Sequence, residues 1–355
     1  MPFSRYMEMA LYEPGLGYYS AGLHKLGAAG DFVTAPELGA LFAACLARQA
    51  AELGGMLGEY EILEVGAGTG QLAADLLASL PATAQPRRYR ILERSADLRQ
   101  VQRERIATAP NGALVEWLDR PPQGDWRGLL IANEVIDAMA VERFRIGDGA
   151  VEQLCVREAG GGFEWTSRPA PAPLEQAVRR VETGLGRRLP DGYRSEINLA
   201  LPAWLAALTE HMEQGLALFI DYGYPRGEYY LPERSDGTLM CHYRHRAHDD
   251  PFFWPGLQDI TAWVDFTALA EAAQAAGLEV EGYASQSLFL LGCGLDRVLS
   301  EQDSARDGDR MARNAEARQL TLPGMMGERF QAMGLGRGLE LPLTGFSLQD
   351  LRYRL

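Results

Sequence analysis

YEILEVGAGTGQLAADLLASL, residues 60–80, carries three signals in one short span. Ile62, Leu63 and Val65 form a compact apolar run of strand type. Gly66, Gly68 and Gly70 follow at once, and Leu72, Leu76, Leu77 and Leu80 then recur on one helical face. A strand, a glycine-rich turn and a helix in this order open a doubly wound α/β unit. Glycines in such a turn let backbone approach a ligand closely and present N–H groups at a helix N-terminus. The dinucleotide fingerprint GxGxxG wants glycine at position 71, and the chain has Gln71. The pattern is instead Glu64-x-Gly66-x-Gly68-x-Gly70.

Working outward, ALFAACLARQAAE (40–52) has helical spacing before a glycine-rich break at Gly54, Gly55 and Gly58. Downstream, RRYRILERS (87–95) reads as a strand ending in Glu93, followed by a polar helix from about Asp97 to Ala107. GLLIANEVIDAMAVERF (128–144) holds a buried strand, Leu129 to Ala132, that turns abruptly polar at Asn133, Glu134 and Asp137. EAGGGFEWTSRPAPAP (158–173) reads as a loop or edge insertion. A helix near 201–213 precedes LALFIDYG (216–223), another buried strand ending in an acid, Asp221. Residues 224–265 read as long, irregular and aromatic. DFTALAEAAQAAG (265–277) is a helix stopped by Gly277, and LEVEGYASQSLFLLG and the terminal FSLQDLRYRL are strand-like runs. Strands alternating with helices predict a parallel sheet covered on both faces. Ligands bind such sheets at the carboxyl ends of the strands. Glu64/Gly66, Glu93, Asn133/Glu134 and Asp221 all sit there and should converge on one crevice.

The 355 residues have 47% hydrophobic and 23% charged content, ordinary for a globular protein. No apolar run approaches the ~20 residues of a membrane span. MPFSRYMEMALYEPGLGYY at the N-terminus has no secretory pattern, so a cytoplasmic location is expected. A net charge of −14 disfavours nucleic acid as a partner. Cys45, Cys155, Cys241 and Cys293 are scattered with no ligand spacing and read as packing residues.

Asn133, Glu134 and Asp137 admit three readings from the residues alone. An amide and acids stabilise a helix start by ~0.3–1 kcal/mol each. A metal site would need a coordination set, and no His or Cys is near to complete one. The third reading is the working edge of an active site.

GDFVTAPE (30–37), EVGAGTG (64–70), ILERS (91–95), NEVIDAMAV (133–141), IDYG (220–223) and DITAWVDF (259–266) occur in an order that resembles the MidA-type methyltransferases. The likeness runs from RYMEMALYEPGLGYY (5–19) through GTLMCHYRHRAHDDPFFWPG (237–256) to LPGMMGERFQAMGL (322–335). Mitochondrial members of that family are complex I assembly factors that methylate an arginine on a complex I subunit.

The resemblance implies a Rossmann-like class I methyltransferase fold that binds S-adenosyl-L-methionine. It implies an N-terminal lid over 1–58 and a cofactor-binding domain over 59–300 with insertions at about 146–200 and 224–265. A helical segment and final strand would occupy 301–355. Glu64, Gly66, Ala67, Gly68 and Gly70 would form the cofactor turn, Glu93 would bind the ribose, and Gly30 and Thr34 would lie over the cofactor. Asn133 and Glu134 would face the reacting end, with Asp137 behind them, and His245 would border the substrate channel. No metal is implied.

Three positions depart from the family pattern: Gly39 stands where Ser is common, Ala44 replaces a glutamate, and Trp263 replaces a histidine. The implied partner is an arginine-bearing protein client, such as a respiratory-complex subunit, and the long insertions offer surfaces for that client or for a homodimer. A binding or assembly protein that retains the fold, and a methyltransferase acting on small molecules, are the competing readings. A nicotinamide oxidoreductase fits worse, given Gln71 and the lack of a Tyr-x-x-x-Lys pair.

Overall fold

The computed structural model describes residues 1–20, 34–244, 246–301, 307–340 and 342–355. Seven strands make the path of the main sheet: β1 (Glu61–Val65), β2 (Arg88–Leu92), β3 (Val115–Leu118), β4 (Trp126–Asn133), β5 (Met212–Tyr224), β6 (Glu279–Ser285) and β7 (Phe330–Arg337), and the two-residue strand Val264–Asp265 pairs parallel to the end of β5 as an eighth. Their spatial order is β3-β2-β1-β4-β5-β7-β6. The first five run parallel, and β7 lies antiparallel between β5 and β6. The sheet is therefore mixed rather than wholly parallel. Its order reverses between β1 and β4, the place where α/β sheets open a crevice beyond the strand ends.

Apolar runs in the central strands feed two cores, because successive side chains alternate faces. Ile62, Leu129, Ile131, Leu218 and Ile220 pack on one side against the helices Leu41–Leu57 and Gln71–Ser79. Leu63, Leu130, Ala132 and Phe219 pack on the other, against Leu201–Thr209 and Phe266–Ala275. The Leu41–Leu57 helix runs straight through Gly54 and Gly55 and ends only at Gly58. Gly54 is not a break but a contact, since a Cβ there would lie 2.7 Å from the Tyr60 ring.

The terminal FSLQDLRYRL is not a strand. It forms 3-10 turns at Thr344–Phe346 and Arg352–Arg354. The strand is FQAMGLGR, whose glycines dilute its apolar pattern. Of these, Gly334 answers to Phe346, as does Gly282 of the neighbouring β6, where a Cβ would stand 2.8 or 2.1 Å from the ring, and Gly336 answers to the Glu281 side chain. LEVEGYASQSLFLLG is likewise split, with a helix from Gln286 to Gly292 after β6.

The excursion between β4 and β5 builds a four-stranded antiparallel sheet from Glu142–Gly147, Ala150–Ala159, Gly162–Pro169 and Arg194–Ile197, covered by the helix Ala172–Leu185. Residues 224–265 are less irregular than their composition predicts. They hold a three-stranded sheet of Met240–Tyr243, Arg246–His248 and Asp259–Thr261. Arg143 and Glu196 form a buried ion pair at 3.2 Å, and Glu196 also accepts the Thr238 N–H at 2.8 Å, tying the two excursions together. The helix Phe3–Tyr12 packs against both. No described helix is long and apolar enough to cross a membrane.

At the sheet centre Gly128 of β4 pairs with Gly215 of β5 and with Glu61 of β1. A Cβ on Gly128 would lie 1.9 Å from the Glu61 carbonyl oxygen, and its φ of 149° already disfavours a side chain. We expect Gly128→Ala to destabilise the fold by about 1–3 kcal/mol or more, read as a lowered thermal midpoint. An unchanged midpoint would mean that the sheet does not need this close approach.

Candidate functional site

A cavity of about 910 Å³ opens where β1, β2 and β4 end. Gly66, Ala67, Gly68, Thr69, Glu64, Glu93, Asn133, Glu134 and Thr34 line it, together with Tyr12 and Tyr19 from the N-terminal region. The expected convergence of strand ends on one crevice thus holds for three of the four. Asp221 lies behind the wall.

Gly66, Gly68 and Gly70 have φ of 68°, 51° and 81°, the left-handed region that favours glycine. Gly66 also passes so close to Val135 that a Cβ would stand 3.0 Å from its Cγ2. Gly70 does not reach the cavity. It serves as N-cap of the following helix, where a Cβ would crowd Gln102 Cα at 3.2 Å.

Glu93 is buried at the end of β2. One carboxylate oxygen accepts the Ser95 N–H at 2.8 Å and the other the Gln102 amide at 3.2 Å. Gln102 also donates to the Gly68 carbonyl at 2.9 Å, coupling Glu93 to the glycine turn. Burial pushes the Glu93 carboxyl above its usual range. Glu64 lies deeper, accepts the Tyr89 hydroxyl at 2.6 Å, and is raised by burial to about 7.

The polar end of β4 is not a helix start, because residues 134–140 form no helix. Glu134 instead takes a left-handed φ of 53°. The Asp221 carboxylate accepts the N–H groups of Val135, Ile136 and Asp137 at 3.2, 3.0 and 3.3 Å, the donors a helix cap would have served. Glu134 is left facing the cavity. Its Oε1 accepts from the Asn133 amide at 3.1 Å and from the Ala35 N–H at 3.3 Å. Asn133 Oδ1 is buried with no hydrogen-bond partner among the described residues.

Asp137 does not reach the wall. Its Oδ2 accepts the Tyr222 hydroxyl at 2.5 Å, and its Oδ1 is buried without a partner among the described residues. The half-buried Glu134 and the buried Asp137 and Asp221 therefore share one acidic region. Burial, and then Asp137, raise Glu134 to about 8. Burial raises Asp137 to about 6, and burial with its two acidic neighbours holds Asp221 well above the carboxylate range. Among the described residues no cation stands among the leading influences on the three. Among the described residues no group of three or more His, Cys, Asp or Glu is arranged to hold a metal.

Gly30 and His245 lie outside the described residues. Sequence reasoning missed Gln102, Tyr222, Tyr12 and Tyr19. Tyr12 donates to the Ala138 carbonyl at 2.9 Å, and Tyr19 lies 3.1 Å from both Asp259 carboxylate oxygens. The one available signal for Gln102 was an amide on the buried face of an otherwise polar helix.

Two departures from the family pattern have local explanations. Gly39 lies under the Glu316 carboxylate, which accepts the Leu41 N–H at 2.7 Å and so caps the helix that Ala40 leaves uncapped. Trp263 packs on Tyr224 at 5.3 Å between ring centroids, with the Arg234 guanidinium 5.1 Å from its own centroid. Ala44 simply packs against the core.

Comparison with known proteins places this geometry among relatives. Residues 42–284 match a family described as "Putative S-adenosyl-L-methionine-dependent methyltransferase". The chain is 27% identical over 396 residues to the Drosophila melanogaster protein arginine methyltransferase NDUFAF7 homolog, covering 98% of this chain and 85% of that one. The human NDUFAF7 protein arginine methyltransferase is 24% identical over 376 residues, with 94% and 79% covered. A Burkholderia thailandensis protein whose crystal structure contains S-adenosyl-homocysteine superposes with a TM-score of 0.93. It is 40% identical, and the match covers all of this chain and 92% of that one.

The raised carboxyls set a pH dependence of stability. The fold binds their protons more tightly than the unfolded chain does. Their contribution is therefore complete below the unfolded values near 4 and is lost as pH rises through about 6 for Asp137, 7 for Glu64 and 8 for Glu134. We expect the thermal midpoint of the ligand-free protein to fall from about pH 5 to about pH 9. Glu134→Gln should flatten the upper part of that fall. A midpoint that rises over this range would contradict the picture.

Proposed function

We infer the chemistry of the cavity from one premise: the chain belongs to this S-adenosyl-L-methionine-dependent methyltransferase family. S-adenosyl-L-methionine is its methyl donor, and the acceptor we propose is the side chain of a protein arginine.

The residues present fit the donor. Glu93 retains lone pairs on both oxygens for a diol, and Asn133 Oδ1 offers a buried acceptor for an N–H group. The glycine turn leads the N-terminus of a helix to the wall, which favours a carboxylate. When bound, the donor supplies an electrophilic methyl on a cationic sulfur, so the protein need not supply a nucleophile. The chain's residues have three tasks: to align the acceptor, to exclude water and to handle a proton.

The observation that carries the arginine reading is the acidic region of Glu134, Asp137 and Asp221 where, among the described residues, no cation is a leading influence. A guanidinium is always charged and presents planar donors that match carboxylates. At the wall, too, carboxylates outnumber cations, which among the described residues are Arg5 and Arg94. The arginine methyltransferase relatives lend the same reading support.

Entry of a cation beside Glu134 lowers its proton affinity again, so the group that holds a proton in the empty cavity becomes a carboxylate in the loaded one. Oε1 is held by Asn133 and Ala35, which leaves Oε2 to accept a guanidinium N–H. Glu134 then takes the proton that the nitrogen gives up as its new N–C bond forms. Asp137 and Asp221 hold the Glu134 turn from behind. Tyr222 and the backbone N–H groups keep those two carboxylates in place.

Calorimetric titration with S-adenosyl-L-methionine tests the donor site. Glu93→Ala should weaken binding by about tenfold or more, the loss expected of a charge-assisted hydrogen bond. Labelled-methyl transfer into arginine-bearing protein tests the rest: Glu134→Gln should abolish transfer while donor affinity stays within about threefold. Wild-type transfer by that variant would remove Glu134 from the chemistry.

A further inference from the structure

We propose that Glu37 is a positioning residue for the transfer: it fastens the short segment Thr34–Leu38 to the glycine turn, so that the Ala35 N–H holds the Glu134 carboxylate in its working orientation. The inference rests on the reading of Glu134 as the proton acceptor.

The segment cannot hold itself. Its helix, Ala35–Leu38, is a single turn, and Thr34 makes no side-chain cap. A helix that short has no stability of its own, so tertiary packing and side-chain anchors decide where it sits. The first N–H groups of a helix lack internal partners. Pro36 has no N–H at all, which leaves that of Ala35 as the donor nearest the helix start, and it goes to Glu134 Oε1 at 3.3 Å.

Core packing of Ala35 and Leu38 seats the segment, and among the described residues two polar anchors orient it. Just past its C-terminal side the Glu316 carboxylate accepts the Leu41 N–H at 2.7 Å. The other anchor is Glu37, whose Oε1 accepts the Thr69 hydroxyl. Thr69 stands between Gly68 and Gly70 in the cofactor turn. The Arg105 guanidinium joins from the helix Ala96–Ile106, 2.9 Å from Thr69 Oγ1 and 3.6 Å from Glu37 Oε1, and it also donates to Gln71 Oε1. Glu37 thus links the donor turn to a segment that touches the proposed proton acceptor.

The anchor matters because of what else faces Glu134. Asp137, Asp221 and Asp259 repel its charged form from behind, and on its own side Asn133 and Ala35 are the donors that favour it. Releasing the segment removes one of two donors and leaves all the repulsion. Glu134 would then hold its proton to higher pH, and its free oxygen would lose its aim.

The test is the pH profile of kcat for labelled-methyl transfer, measured with donor affinity by calorimetry. Glu37→Ala should lower kcat at pH 7 by about tenfold and move the acid limb of the profile up by about half a unit or more, with donor affinity within about threefold. Glu37→Gln keeps an acceptor for Thr69 and should recover most of the rate. Arg105→Gln, which loosens the same anchor from the neighbouring helix, should move the limb in the same direction and serves if Glu37→Ala does not fold. A wild-type pH profile in Glu37→Ala overturns the proposal even if stability falls. A rise in the donor's Kd with an unmoved limb overturns it too, because Glu37 would then serve the cofactor and not Glu134. These outcomes leave the methyltransfer reading standing. That reading fails separately if wild-type protein binds no donor or Glu134→Gln transfers normally.

Discussion

Everything at the working edge of this protein hangs on one carboxylate, Asp221. It sits in β5, three residues before that strand ends, and gathers three consecutive backbone N–H groups from the chain leaving β4. That cradle does the work a helix cap would do, without a helix. It lets the chain turn sharply and puts Glu134 in a backbone conformation few non-glycine residues adopt. Replacing such bonds elsewhere would be hard, because buried N–H groups left unpaired cost about 1–3 kcal/mol each. The turn, the direction of Glu134 and the position of Asp137 behind it follow from this one arrangement.

The arrangement gathers like charges where charges are expensive. Three carboxyls share a poorly solvated region where, among the described residues, no cation is a leading influence, so their proton affinities climb. Hydrogen-bond donors limit the climb: Tyr222 for Asp137, Asn133 and Ala35 for Glu134, backbone N–H groups for Asp221. The acidic region therefore holds its protons more tightly than free carboxyls would.

Much of this was legible in the sequence. The strand–glycine–helix unit at 60–80 gave the opening of the sheet, and polar strand ends at Glu93, Asn133 and Glu134 marked the crevice because strand direction in a parallel sheet fixes which ends meet. Asn133 could not be told from a cap, since the competing donor acceptor, Asp221, is 88 positions away by number and meets it only through the sheet register. β7 was hidden for a different reason: its glycines lie against side chains met only in the fold, Gly334 against the Phe346 ring and Gly336 against Glu281. Gln102 looks like a surface polar residue until tertiary structure buries it, and Tyr222 shows its role only once the fold brings its hydroxyl to Asp137. The small sheets of the excursions escaped notice because short strands with mixed composition give weak periodicity.

The Glu316 carboxylate over Gly39 has a consequence for how this chain can vary. A residue near the C-terminal end supplies the cap for a helix near the N-terminal end, in space that a side chain at 39 would fill. A side chain at 39 would put its Cβ 2.1 Å from the Glu316 carboxylate, which would have to swing aside and give up the Leu41 N–H. The two positions compete for one space, so a side chain gained at 39 displaces the cap that reaches in from 316, and the two ends of the chain are coupled through a single helix start.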